Sequence, residues 1–165
     1  MAVSPPPLPL PADLAQVVES ALAAHAARPG ALLPIFHAIQ DRAGYVPREA
    51  LPRIAWAVNQ SQADVLGTLS FYHDFRTHPP GRHVVKLCRA EACQARGSDA
   101  VVADVEGRLR VGMGRTREDG AVTLEPVYCL GNCALGPSAM VDGRLHARAT
   151  ADRIAALVEE APPCR

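Results

Sequence analysis

The sequence predicts a mixed α and β protein (α+β or α/β) in two parts. A helical bundle is expected over residues 12–78 and a small α/β layer domain over residues 79–165, after a proline-rich tail at residues 1–11. Three observations carry this expectation. Apolar residues recur at helical spacing as far as Tyr72. The break Thr77-His78-Pro79-Pro80-Gly81 is followed by runs rich in β-branched residues. Two tight cysteine pairs, Cys88 with Cys93 and Cys129 with Cys133, each begin where one of those runs ends.

The elements follow in order. Asp13 is placed to cap a first helix whose inner face is Leu14, Val17, Val18, Ala21 and Leu22, ended by Arg28-Pro29-Gly30. A second helix is expected from Leu33 to Ala43, with Pro34 in its first turn. Leu32, Ile35, Phe36 and Ile39 form its buried stripe, and Gly44 stops it. Pro47 opens a third, with Leu51, Ile54, Ala55 and Val58 inward; Pro52 calls for a bend or a late start. Ser61 caps a fourth, which carries Val65, Leu66, Leu69 and Tyr72.

Beyond the break, His83 to Leu87 reads as a strand delivering Cys88. Ser98 is placed to cap a helix with Val101, Val102, Val105 and Leu109 inward. Met113 to Gly120 is a polar connection. Ala121 to Tyr128 is a strand delivering Cys129, and its Pro126 points to a sheet edge. Asp142-Gly143 between two short strands signals a tight hairpin. Thr150 caps a last helix with Ile154, Leu157, Val158 and Ala161 inward, stopped by Pro162-Pro163. Cysteines just past strand ends lie on loops that a rigid sheet positions.

Composition narrows the function. Apolar residues make up 48% of 165, enough for a buried core. Seventeen basic residues balance seventeen acidic ones, so there is no field to hold a phosphate backbone, and nucleic acid is not an expected partner. The N-terminus lacks the charged and apolar regions of a secretory signal, and no apolar run reaches membrane length. A cytoplasmic protein without membrane insertion is expected, and in that reducing space thiols are free to bind metals.

The gaps along the cysteine set are four, thirty-five and three residues. Two short gaps around a long one let a fold present four thiolates from two loops to one metal centre. Zinc takes four thiolates tetrahedrally. A two-iron, two-sulfide cluster takes four as two per iron, and the spacing suits it at least as well. Plant-type ferredoxin spacing is absent, as is a histidine-paired Rieske pattern. There is no Cys-x-x-Cys and no phosphate-cradling glycine loop, and the six histidines share no ligand spacing and read as surface or partner contacts. No catalytic residue is expected. Cys164 reads as a free thiol, and Asp64 and Asp74 as capping or surface acids. Trp56 and Phe71 to Phe75 read as core or interface, marking a docking face if Phe71 and Phe75 are exposed. Arg89 and Arg96 flank the first pair and could favour the reduced state of an anionic cluster.

Cys88-x4-Cys93, then Cys129-x3-Cys133 with Pro137 four residues on, resembles the thioredoxin-like two-iron ferredoxin subunits. These serve NADH:quinone oxidoreductase, NAD-linked hydrogenases and soluble NAD-dependent formate dehydrogenases. Leu32-Leu33-Pro34-Ile35-Phe36 and Gly44-Tyr45-Val46-Pro47 resemble the family's helical region. The stretch from Phe71 through Cys93-Gln94 is most similar to the gamma subunits of molybdenum-containing, NAD-dependent formate dehydrogenase. The resemblance implies a thioredoxin-like domain behind a helical bundle, with one [2Fe-2S] cluster on Cys88, Cys93, Cys129 and Cys133. The implied partners are a flavin subunit that binds NAD and a molybdenum subunit that oxidises formate.

Overall fold

The computed structural model describes residues 5–160. The chain divides into two compact units, Met1–Pro79 and Pro80–Arg165.

The first unit is helical: α1 (Ala12–His25), α2 (Leu32–Ala43), α3 (Leu51–Val58) and α4 (Gln62–Phe71). Val18, Ile35, Phe36, Ile39, Ile54 and Val65 are fully buried in one core. Burying side chains of this size contributes about 1.5–3 kcal/mol each. Pro11 rather than Asp13 holds the N-cap of α1, and no side chain caps it. Asp13 lies in the first turn, where its charge faces the positive end of the helix. Gly44 ends α2 in the left-handed conformation, at φ 83°, as a residue without a Cβ can. Pro47 opens a 3-10 turn, Arg48–Ala50, so α3 starts late, with Pro52 in its first turn where a missing N–H costs nothing. Ser61 caps α4 by accepting the Asp64 N–H at 3.1 Å. Val65 and Leu69 are buried, whereas Leu66 and Tyr72 are well exposed.

Two polar devices complete this unit. Arg53 on α3 grips Glu19 on α1 with two hydrogen bonds, at 2.8 and 2.9 Å. Gln40 holds the segment after α4 by donating to the Asp74 carbonyl at 2.8 Å and accepting the Arg76 N–H at 2.7 Å. That clamp seats Phe75 against Phe36 and His37, with ring centroids 5.3 and 4.9 Å away. Phe75 is thus core, while Phe71 is 72% exposed.

The second unit is a four-stranded sheet in the order β2-β1-β3-β4, with helices packed against it. Here β1 is His83–Cys88, β2 Val122–Val127, β3 Ala139–Val141 and β4 Arg144–His146. β1 is parallel to β2 and antiparallel to β3, and β2 is an edge strand, which accommodates Pro126. Three α-helices among the described residues belong to this unit, α5 (Glu91–Gln94), α6 (Ser98–Leu109) and α7 (Ala151–Glu160), with a 3-10 turn at Cys133–Leu135. Val102 and Val105 of α6 and Ile154 of α7 share one core with Val85, Leu87, Val122 and Leu124.

Asp142 and Gly143, at φ 48° and 79°, make a two-residue hairpin turn with Val141 paired to Arg144. The Asp142 carboxylate also reaches back to β1. It accepts the Val84 N–H at 2.8 Å and meets His83 Nδ1 at 2.8 Å. His83 is therefore buried against the Asp142 carboxylate rather than on the surface. Ser98 does not cap α6: Gly97, left-handed at φ 85°, takes that place and turns Ser98 inward. Thr150 caps α7 weakly, accepting the Arg153 N–H at 3.4 Å. Ala161, Pro162-Pro163 and Cys164 lie outside the described residues. No helix among the described residues is long and apolar enough to cross a membrane.

Candidate metal centre

Each cysteine pair begins at the same end of the sheet. Cys88 is the last residue of β1 and is paired in register with Val127, the last of β2; Cys129 follows two residues on. The parallel pairing of β1 and β2 therefore brings two distant stretches of sequence together. Cys88 is held by its N–H bond to the Ser138 carbonyl at 3.1 Å. Cys93 sits on α5, a one-turn helix that the apolar periodicity does not reveal because four residues hold no period. That turn opens at Ala90, whose carbonyl accepts from Cys93 N–H at 2.9 Å.

The two pairs differ in exposure. Cys88 and Cys93 are 2% and 1% exposed, whereas Cys129 and Cys133 face solvent. Cys129 and Cys133 bring their sulfurs to 3.7 Å, and Gly131 N–H points at Cys129 Sγ from 3.3 Å. Cys129 has φ 120°, a conformation rare for a residue with a side chain. Backbone strain of this kind is held where the surrounding structure enforces it, as at ligand clamps. The second loop is pinned at Ser138, whose Oγ donates to the Asn132 carbonyl at 3.4 Å. Gly136 leaves the room the first pair needs, because a Cβ there would sit 3.1 Å from Cys93 Sγ.

The thiols perturb one another. Burial pushes the Cys93 thiol up, helped by its hydrogen bond to Cys88 and by the nearness of Cys88 and Cys133; a Ser138 backbone bond acts the other way. The hydrogen bond from Cys129 is the main cause raising Cys133, with the charges of Cys129 and Cys88 adding to it. Cys93 and Cys133 therefore resist ionising. Bound iron would supply the positive charge that lets all four serve as thiolates. Soft sulfur donors in two neighbouring pairs fit a two-iron cluster, which asks for two thiolates per iron. Among the described residues, no three side chains of histidine, cysteine, aspartate or glutamate gather around a single ion position.

Other groups stand apart from this centre. Arg89 is engaged with Asp99 at 3.1 Å. Asp64 serves its cap at Ser61. His37 meets Phe75 edge to face and His83 pairs with Asp142, so neither is a ligand here. A groove of about 750 Å³ bordered by Arg110, Arg115 and Arg117 lies near the start of β2, at the far end of the sheet from the cysteines.

Comparison with known proteins agrees with this geometry. The chain is 36% identical over 121 residues to the E subunit of the NADH-quinone oxidoreductase of Pseudomonas aeruginosa, covering 73% of each. It is 29% identical over 154 residues to the HndA subunit of the NADP-reducing hydrogenase of Solidesulfovibrio fructosivorans, covering 93% of this chain and 88% of that one. Among solved structures it resembles an NAD+-reducing [NiFe]-hydrogenase in the H2-reduced state, with TM-score 0.66 and 26% identity. That match covers 79% of this chain and 22% of the hydrogenase chain. The family model of the thioredoxin-like [2Fe-2S] ferredoxins matches residues 18–162. With a sheet that carries four cysteines at one end and a family match over most of its length, the chain belongs to the thioredoxin-like [2Fe-2S] ferredoxins, a family that binds one [2Fe-2S] cluster.

Proposed function

We propose that Cys88 and Cys93 hold one iron of the cluster and Cys129 and Cys133 the other, and that the chain passes single electrons within a multi-subunit, NAD-linked oxidoreductase. The observation that carries this is the arrangement of four sulfurs as two pairs on adjoining loops, with Cys129 and Cys133 at 3.7 Å. A single zinc ion, as in a purely structural interaction module, would ask all four to converge on one point. Iron and acid-labile sulfide in anaerobically purified protein test the reading. About two of each per chain is expected. Cys88→Ala and Cys129→Ala should each lower both contents together; retention of full iron and sulfide by either variant would remove that residue from the ligand set.

The complex we propose is a soluble, cytoplasmic NAD-dependent formate dehydrogenase. The chain there lies between a flavin subunit that binds NAD and a molybdenum subunit that oxidises formate. Support comes from the stretch Phe71 to Gln94, which resembles the gamma subunits of those enzymes. The second reading is the equivalent subunit of an NADH:quinone oxidoreductase or an NAD-linked hydrogenase, favoured by the names of the relatives above. The subunits that co-purify, and whether formate, NADH or hydrogen reduces the cluster, separate the two. On the helical unit, residues 12–78, exposed Phe71 and Tyr72 are the proposed contact with a partner subunit. Phe71→Ala should weaken assembly, and normal assembly would reject that contact.

A further inference from the structure

The two arginines beside the first cysteine pair differ in their surroundings. Arg89 is matched by Asp99 at 3.1 Å, so at the cysteines the two charges largely cancel. Arg96 makes no ion pair or side-chain hydrogen bond among the described residues. Its backbone N–H donates to the Cys93 carbonyl at 3.1 Å. Its stem passes the same spot as the Cys93 sulfur: a Cβ on Gly136 would lie 3.1 Å from Cys93 Sγ and 3.3 Å from Arg96 Cδ. The geometry therefore runs the stem of an arginine with no ionic partner among the described residues past a ligand sulfur buried to 1% exposure.

From this we infer that Arg96, and not Arg89, is the residue that sets the cluster's reduction potential by charge. The inference rests on the cluster reading above. One-electron reduction adds a negative charge to an anionic centre, and a nearby cation stabilises the reduced form more than the oxidised one. Cys88 and Cys93 are buried while Arg96 is exposed, so the interaction is solvated at the arginine end only and weakens with added salt. Arg96 acts through the field at Cys93 and is a positioning residue rather than a ligand.

The test is a redox titration of the holo-protein, followed by visible bleaching and by the paramagnetic signal of the reduced cluster. Arg96→Gln and Arg96→Met should lower the potential by about 30 mV, a threefold loss of reduced over oxidised form at 59 mV per tenfold. Arg96→Lys, which keeps the charge, should restore it. The paired change Arg89→Gln with Asp99→Asn should leave the potential in place; Arg89→Gln by itself would strand the Asp99 charge and is not the control. Equal potentials in the wild type and both neutral Arg96 variants would overturn the role of Arg96. If the neutral variants lose the cluster while Arg96→Lys keeps it, the charge retains the cluster rather than setting its potential, and the inference falls. If Arg96→Lys loses it too, shape rather than charge is at work, and the inference falls. Absence of iron and sulfide from the wild-type protein would instead refute the cluster reading itself.

Discussion

Replacing Gly136 with alanine probes the metal centre without removing a ligand. Gly136 has φ −66° and ψ 164°, which any residue adopts, so no left-handed penalty arises. A Cβ there would meet Cys93 Sγ at 3.1 Å, Arg96 Cδ at 3.3 Å and the Cys133 carbonyl oxygen at 3.5 Å. Ordinary carbon contacts lie at about 3.5–4.0 Å. The flexible Arg96 stem can give by the few tenths of an ångström required. Cys93 cannot: it is 1% exposed and held in α5 by its N–H bond to Ala90. Overpacking of this kind costs about 1–3 kcal/mol, and the lower chain entropy of alanine in the unfolded state offsets about 0.4–1 kcal/mol. The expected net loss is about 1 kcal/mol, a fall in Tm of about 2–4 °C for a chain of this length. On the proposed ligand set iron would fix the sulfur as well, so iron and acid-labile sulfide per chain should drop below the wild type. The assays are thermal unfolding of the chain and metal analysis of anaerobic preparations. Full iron content together with an unchanged Tm would show that the space above Cys93 is not limiting.

Three further outcomes are expected. Gly81→Ala should cost about 3 kcal/mol, because its Cβ would lie 2.8 Å from backbone atoms of Val122, which β1 and β2 pairing holds in place; thermal or denaturant unfolding measures it. Ser61→Ala should lose the cap on α4, about 1 kcal/mol, with the change confined to stability and absent from the cluster spectrum. His146 is held below the ordinary histidine range, first by burial and then by the charges of Arg153 and Arg144. A histidine kept neutral by the fold binds fewer protons than in the unfolded chain. Stability should therefore fall as pH drops below about 6.5 and level off once pH is under the folded value. His146→Asn should flatten that part of the profile, and an unaltered slope in the variant would assign the pH dependence to another group.

Much of this molecule is legible along the chain. The α2 stripe of Leu32, Ile35, Phe36 and Ile39, the late start of α3 at Leu51 and the Asp142-Gly143 turn follow from periodicity, proline chemistry and turn chemistry acting within a few residues. Those are local forces, and local sequence carries them. Asp13 and Ser98, expected as caps, do not serve as caps, because a neighbouring proline or a left-handed glycine takes that place. His83 shares the inward positions of β1 with Val85 and Leu87, a period of two that could have marked it as buried. Its partner Asp142 could not be named, since their contact spans fifty-nine residues.

The four cysteines, their spacing and the class of cofactor they suit belong to the sequence by itself. Tertiary structure decided which sulfurs are sheltered and which face solvent, and that Arg89 meets Asp99. Those properties arise where β1 lies beside β2 and where Gly136 crosses Cys93 and Arg96. Burial and electrostatic screening depend on everything packed around a group, and most of that packing comes from residues far away along the chain.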